Sequence, residues 1–231
     1  MSKVVVVAID GPAGAGKSTV ARSVAERLGY VYINTGAMYR AVALWAMQLS
    51  LDLKDHLKLE QLAGQARIEF EPGSTRVMLN GLDVTVLISD PAVSEAASIV
   101  SAVPGVRRAL VAEQRRIAHG ASVAMEGRDI GTVVFPDADV KIFLDADVQV
   151  RAERRTKELA ARGQAADVNE IAASIAERDN RDATRADAPM TQAPDAIYVD
   201  SSGLSASEVV DAILRVVRAR VSNGKDVGSI E

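Results

Sequence analysis

A glycine-rich segment near the start of the chain, Gly11–Ser18, most constrains the fold, because it matches the pattern G-x-x-x-x-G-K-[ST] in full. The β-branched and apolar run before it, Val4–Ile9, is typical of a strand buried on both faces of a parallel sheet. After it, apolar residues recur every four positions over Val20–Leu28, which predicts an amphipathic helix that ends at Gly29. A strand, a glycine loop and a helix in this order predict an α/β fold.

The same segment predicts a binding site for a nucleoside triphosphate. Glycines let backbone N–H groups turn inward around a phosphate, and the following helix adds the positive end of its dipole. Lys17 can reach the β- and γ-phosphates, and the Ser18 hydroxyl can ligate Mg²⁺. The predicted ATP-binding residues are Gly11, Pro12, Ala13, Gly14, Ala15, Gly16, Lys17, Ser18 and Thr19.

The rest of the chain continues the α/β pattern around one small insert. Short strand candidates at 67–70, 76–79 and 83–86 are separated by Pro72–Ser74 and by Asn80-Gly81, and the second of these is a strong hairpin signal. Together they predict a small antiparallel insert. The other strand candidates are Val31–Ile33, Ser122–Met125, Val140–Leu144 and Ile197–Val199, and the helix candidates are 37–49, 92–101, 104–118, 148–185 with a turn at 163–167, and 209–217.

Composition excludes several classes of function. The absence of cysteine rules out disulfides, a thiolate nucleophile and Cys-type zinc sites, and two histidines are too few for a His-rich metal site. A net charge of -4 and only eight aromatic residues argue against a nucleic-acid partner. The apolar run Val4–Ile9 is too short for a membrane span or a signal peptide. We therefore expect a cytoplasmic protein with neither a nucleic-acid nor a membrane partner.

The basic residues are unevenly chosen, with 20 Arg against 7 Lys, and the planar fork of arginine suits two-point contacts with oxyanions. Arg40 follows the predicted strand Val31–Ile33, and Arg128, beside Asp129, follows the predicted strand Ser122–Met125. Open α/β sheets bind their ligands at the carboxyl ends of their strands. The two arginines therefore predict a phosphate clamp facing the glycine loop, and favour a small-molecule kinase in which Lys17, Arg40 and Arg128 are catalytic.

A further basic group lies on the long helical stretch. Arg178, Arg181, Asp182 and Arg185 are spaced by three, four and seven residues, which places them on one helix face. The face is either a solvated surface or part of the site. The arginines within 151–155 stand among acidic residues, and which of them contacts ATP stays open.

Other classes of phosphate-loop protein are weighed against the kinase. A GTPase should carry N-K-x-D, and the nearest string, Asn223–Asp226, has the wrong order. A regulatory ATPase would place a strand-terminal Asp on Mg²⁺, and Asp145 after Ile142–Leu144 fits that role or that of a helix cap. A kinase for another nucleoside monophosphate or small metabolite, and less strongly a regulatory ATPase, remain alternatives.

With these residues in hand, the chain resembles the bacterial cytidylate kinase family of P-loop nucleoside monophosphate kinases. The strings that carry the resemblance are Ile9–Ser18, Gly36–Arg40, Gly127–Pro136, Ile142–Ala146 and Glu177–Asp182, and Gly127–Pro136 is the most specific of them. The resemblance implies a monomer that transfers the γ-phosphoryl group of ATP, with Mg²⁺, to CMP or dCMP.

The resemblance also implies an organisation for the chain. The family has a P-loop kinase core with a parallel sheet flanked by helices, an antiparallel insert in the monophosphate-binding region and a helical lid. The implied boundaries are a single domain over 1–222, with core 1–62, 102–150 and 186–222, insert 63–101 and lid 151–185, followed by a flexible tail over 223–231.

Roles for the acceptor residues come from the resemblance as well. It implies that Arg40 and Arg128 bind the acceptor phosphate and that Arg178 and Asp182 bind the sugar. A carboxylate such as Asp129 can accept from the exocyclic amino group of cytosine, whereas the carbonyl of uracil would face it unpaired. We therefore expect a preference for CMP over UMP. The residues implied on the cytosine side are Thr35, Ser98, Arg107, Asp129 and Arg185.

Overall fold

Strands and helices alternate through most of the chain in the computed structural model, which describes residues 3–71, 74–161 and 163–223. The strands are β1 (Val6–Asp10), β2 (Val31–Asn34), β3 (Ile68–Phe70), β4 (Val77–Leu79), β5 (Leu82–Asp83), β6 (Val123–Glu126), β7 (Val140–Asp145) and β8 (Ile197–Asp200). The helices are α1 (Lys17–Leu28), α2 (Thr35–Gln48), α3 (His56–Gln65), α4 (Pro91–Val100), α5 (Pro104–Ile117), α6 (Val148–Ala160), α7 (Val168–Thr184) and α8 (Ala206–Asn223). Pro72 and Gly73 of a predicted turn, and 224–231 of the predicted tail, lie outside the described residues.

The main sheet has five strands in the order β2-β6-β1-β7-β8. Strand β1 runs parallel to β7 with Ile9 opposite Ile142, and β7 runs parallel to β8. Val7 and Ile9 are fully buried, as the unbroken apolar run predicts for a strand covered on both faces. The α/β class with a parallel sheet flanked by helices is confirmed.

The chain packs as two compact units. The phosphate-loop unit comprises the residues up to Tyr30 and those from Ala124 onward, and in it α1 packs on α8 and α6 on α7. The hairpin unit comprises Val31–Val123, and in it α2 packs on α4 and α3 on α5.

The predicted hairpin is present in the hairpin unit. Strand β4 pairs antiparallel with β3 and with β5. The turn residues Asn80 and Gly81 both have positive φ, 51° and 81°, which is the backbone of a type I′ turn. The small antiparallel insert is therefore confirmed.

The predicted strand at 83–86 is wrong beyond Asp83. The carboxylate of Asp83 accepts hydrogen bonds from the backbone N–H of Thr85, at 2.9 Å, and from its hydroxyl, at 2.6 Å. Such a local turn competes with strand pairing. The chain then enters a 3-10 turn over Leu87–Ser89.

Helix α3 was not predicted. Asp55 caps it by accepting from the N–H of Lys58, at 3.1 Å, and Leu59 and Leu62 form its buried face. Leu57 in its first turn is 67% exposed, so the apolar residues do not follow a clear helical period. Within the described residues, no helix combines the length and the apolarity needed to cross a membrane.

Candidate active site

The glycine loop between β1 and α1 has the backbone that its motif requires. Gly11, Gly14 and Gly16 have φ of 142°, 78° and 93°, a region that only glycine adopts without strain. A Cβ on Gly11 would lie 2.0 Å from the carbonyl oxygen of Leu144. The loop therefore passes so close to β7 that no side chain fits there.

Lys17 begins α1 and its side chain folds back over the loop. It is only 5% exposed, and Nζ donates to the carbonyl oxygen of Pro12 at 2.5 Å. Burial lowers the pKa of Lys17 well below its usual range, and the positive charge of Arg128 acts in the same direction. The charged ammonium is therefore under-compensated, and an anion bound in the loop would stabilise it.

Asp10 ends β1 directly before the loop and holds a distant segment in place. Its two carboxylate oxygens accept from the backbone N–H groups of Ile130 and Gly131, each at 2.8 Å. These donors open a π-helical turn, Ile130–Val134, which follows Arg128 and Asp129 in the chain. Burial raises the pKa of Asp10 to about 6, against the lowering effect of these two hydrogen bonds.

Two arginines and two aspartates form an ionic cluster in the phosphate-loop unit. Nε of Arg128 donates to Oδ2 of Asp182 at 2.9 Å. Arg185 lies 3.7 Å from Oδ1 of Asp129 and 3.9 Å from Oδ1 of Asp182. All four side chains are less than 20% exposed. The cluster joins the segment after β6 to α7 and to the residue that follows it.

The predicted polar face of α7 is only partly confirmed. Burial raises the pKa of Asp182, but the positive charges of Arg128, Arg178 and Arg185 outweigh it and lower that pKa below its usual range. Arg181, which the spacing placed on the same face, is exposed. On α7, Asp182 is buried and Arg178 is half-buried, while Arg181 faces solvent.

The hairpin unit holds the other predicted acceptor residues. Thr35 begins α2 and is 4% exposed. Arg40, one turn further on, is half-buried, and its Nη1 would lie 3.3 Å from a Cβ placed on Gly36. A glycine at this position leaves room for the guanidinium at the start of the helix.

Two polar residues of the hairpin unit, Arg107 and Ser98, are buried. Arg107 on α5 is 3% exposed, and its guanidinium carbon lies 5.8 Å from the ring centre of Tyr39. Ser98 on α4 is 8% exposed, and within the described parts of the chain no hydrogen-bond partner for its Oγ is found. A buried hydroxyl without a partner costs stability, which is typical of a residue kept for a ligand.

The three arginines of 151–155 have different surroundings. Arg151 is buried, and its Nη1 donates to the loop carbonyl of Ala13 at 2.9 Å. Arg154 donates to the carbonyl and the hydroxyl of Ser201. Arg155 pairs with an exposed glutamate on its own helix. Among these three, Arg151 is the one that contacts the glycine loop directly.

The comparison with protein families decides between the classes that the geometry allows. Residues 7–219 match the model of the family described as cytidylate kinase. The chain belongs to the cytidylate kinase family. It is 58% identical over 226 residues to the cytidylate kinase of Solibacter usitatus, with 97% of each chain covered. It is 51% identical over 222 residues to that of Pelotomaculum thermopropionicum, with 95% of this chain and 96% of the relative covered.

A solved structure supports the fold of this cytidylate kinase family member. An uncharacterised protein from Eubacterium ventriosum superimposes with a TM-score of 0.51 at 12% identity, over 93% of this chain and 99% of that one. At this identity the likeness concerns the fold alone.

Sequence reasoning missed two acidic residues that this family member uses to hold its loops. Asp10 had a visible signal, because a charged residue ends an otherwise apolar buried strand. Asp179 lies in the string Glu177–Asp182 that carries the family resemblance, but its residue type alone gave no sign of its role, since it is one of several acidic residues on a charged helix. Its carboxylate accepts from the N–H of Ala13 in the glycine loop, at 3.2 Å.

Proposed function

We propose that the protein transfers the γ-phosphoryl group of Mg-ATP to CMP or dCMP, giving ADP and CDP or dCDP. The observation that carries this is the buried Lys17 of a complete phosphate loop, together with the Arg128 cluster in the same compact unit. Membership of the cytidylate kinase family supports the nucleotide named as acceptor.

The glycine loop is the proposed donor site. Its backbone N–H groups and Lys17 bind the β- and γ-phosphates, and cation and loop together neutralise charge on the transferred group. Within the described residues, no group of three or more carboxylate or histidine side chains could hold a metal by itself. The exposed hydroxyl of Ser18 in the first turn of α1 suits Mg²⁺, which keeps several waters and shares phosphate oxygens. When bound, Mg²⁺ supplies positive charge to those oxygens.

The acceptor phosphate is assigned to Arg40 and Arg128, and the sugar to Arg178 and Asp182. Because the second pKa of a phosphate monoester is about 6, the attacking oxygen is largely deprotonated at neutral pH. The reaction therefore needs position and positive charge rather than a general base, which agrees with a site without histidine or cysteine.

The cytosine is assigned to Thr35, Ser98, Arg107, Asp129 and Arg185. Asp129 is buried beside Arg185, which keeps the carboxylate available as an acceptor for the amino group of cytosine. The hydroxyl of Ser98, which has no hydrogen-bond partner among the residues that the structure describes, and the donor groups of Arg107 suit the ring nitrogen and the O2 acceptor of the same base. We further propose that the insert 63–101 enlarges the acceptor region and that 151–185 acts as a lid that excludes water.

An acceptor panel tests the function. ADP release from Mg-ATP is measured without an acceptor and then with CMP, dCMP, UMP, AMP or GMP. We expect strong stimulation by CMP and dCMP and little hydrolysis without them. Hydrolysis that no acceptor changes would identify an ATPase, and stimulation by another acceptor alone would replace the proposed substrate.

Asp129→Ala should narrow the preference for CMP over UMP. The carboxylate that pairs with the cytosine amino group and opposes the uracil carbonyl is lost, so the ratio of kcat/KM for CMP to that for UMP should fall by about 5- to 150-fold. The ratio is measured by steady-state kinetics. Asp137→Ala, an exposed residue a few positions away, is the matched control. An unchanged ratio in Asp129→Ala would remove this residue from base selection.

A further inference from the structure

A buried arginine and an aspartate bind the main chain of one glycine-loop residue, Ala13, and so hold the two peptide groups on either side of it. Arg151 on α6 donates through Nη1 to the carbonyl oxygen of Ala13, at 2.9 Å. Asp179 on α7 accepts through Oδ1 from the N–H of the same Ala13, at 3.2 Å. The two side chains also form an ion pair with each other. Ala13, Arg151 and Asp179 are therefore joined in a closed ring of three contacts.

The arginine itself is fixed from a third direction. Its Nε donates to the carbonyl oxygen of Ala146 at 2.8 Å, in the segment between β7 and α6. Arg151 is 7% exposed. A charged side chain this deeply buried is costly unless it is paired and hydrogen-bonded, and here Nε and Nη1 donate to backbone carbonyls and to Asp179. The guanidinium is therefore held rigidly.

The loop is shaped to the arginine as well. A Cβ on Gly14 would lie 3.1 Å from Cβ of Arg151, and the φ of Gly14 is 78°. The glycine thus brings the loop backbone against α6. In a motif that binds phosphate through successive N–H groups, the orientation of the two peptide groups flanking Ala13 helps to determine where the neighbouring N–H groups point.

We propose that Arg151 and Asp179 are positioning residues that fix the two peptide groups flanking Ala13 and so preorganise the loop for the donor phosphates. This rests on the proposed function, in which the loop binds ATP. Neither residue needs to contact the nucleotide. The loop is positioned by two lid-region helices, α6 and α7, rather than by its own glycines alone.

Asp179→Ala should weaken the binding of the non-hydrolysable ATP analogue AMP-PNP with Mg²⁺ by about 10- to 100-fold, since a charge-assisted contact to the loop is lost. The kcat for CMP should fall by a similar factor, while the Kd for CMP measured alone changes less than about 3-fold. A residue that merely stabilised α7 would instead weaken CMP as well, because the same helix carries Arg178 and Asp182. Binding is measured by titration calorimetry.

Arg151→Ala, and the double variant with Asp179→Ala, test whether the two act as one device. The double variant should bind AMP-PNP about as weakly as either single variant, because breaking the ring once removes its effect. Independent multiplication of the two losses would overturn the proposal. The matched control is Arg27→Ala with Asp211→Ala, which removes an exposed Arg–Asp pair between α1 and α8 and should leave analogue binding unchanged.

The conservative variant Asp179→Asn keeps an oxygen for the Ala13 N–H but loses the charge that pairs with Arg151. It should restore part of the analogue affinity, and it decides the question if Asp179→Ala does not fold. No restoration in a folded Asp179→Asn, or a loss shared equally by AMP-PNP and CMP, would contradict the proposal. Wild-type protein that binds AMP-PNP but does not phosphorylate CMP would refute the proposed function. The comparison of AMP-PNP binding between wild type and variants would still test the role of Arg151 and Asp179.

Discussion

Lys17→Ala is expected to lower kcat for CMP phosphorylation by about 100- to 1,000-fold, the usual effect of removing one donor that stabilises developing charge. The thermal midpoint should stay level or rise. Burial and the charge of Arg128 hold the pKa of Lys17 well below its usual range. The charged ammonium therefore lowers the free energy of unfolding of the wild type, and this destabilisation is absent from the variant. Large loss of turnover with retained stability is the signature of a catalytic role.

Steady-state kinetics and thermal unfolding of the same preparation check this pattern, and Lys17→Met keeps most of the side-chain volume. Lys141 gives the contrasting case. It is also buried, at 5% exposure, but it is paired with Asp195 at 2.8 Å, so Lys141→Met should lose stability more than turnover. Turnover near that of the wild type in Lys17→Ala would remove Lys17 from the chemistry.

The parts of the fold that the sequence predicted correctly are those specified by neighbouring residues. The loop after β1 is visible because its glycines stand where the backbone needs positive φ. The turn at Asn80 and Gly81 is visible for the same reason. Pro104 opens α5 as its fixed φ allows. In each case the signal and the structure lie within a few residues of each other.

The parts that were missed depend on contacts between distant residues. The β-branched string of the turn Ile130–Val134 carries no helical signal, and its conformation is supported by hydrogen bonds to Asp10, 120 residues earlier. Asp179 is 166 residues from the Ala13 N–H that it accepts from. Periodicity on α7 likewise grouped Arg181 with Asp182, although only the packing of the helix decides that Arg181 faces solvent.

Asp10→Ala should destabilise the protein by about 2 to 6 kcal/mol, because it leaves the buried N–H groups of Ile130 and Gly131 without their acceptors, each costing about 1 to 3 kcal/mol. Turnover should fall as well, since these groups open the turn that follows Arg128 and Asp129. Urea unfolding and steady-state kinetics measure the two effects. Asp139→Ala is the matched control, because Asp139 accepts one backbone N–H, from Val6 at the other end of β1, at 2.9 Å. It should cost less stability and little turnover.

The pH dependence of the free energy of unfolding separates the effect of the Asp10 charge from that of its size and hydrogen bonds. Burial raises its pKa from 3.8 to about 6, so between these values the folded protein binds more protons than the unfolded chain, and this contribution to the free energy of unfolding decreases as pH rises through about 6. Asp10→Asn cannot titrate. The free energy of unfolding of the wild type minus that of Asp10→Asn should therefore be about 1 kcal/mol larger at pH 5 than at pH 7.5. If this difference is the same at both pH values, or larger at pH 7.5, the carboxylate is ionised throughout this pH range. Its two hydrogen bonds would then lower its pKa by at least as much as burial raises it.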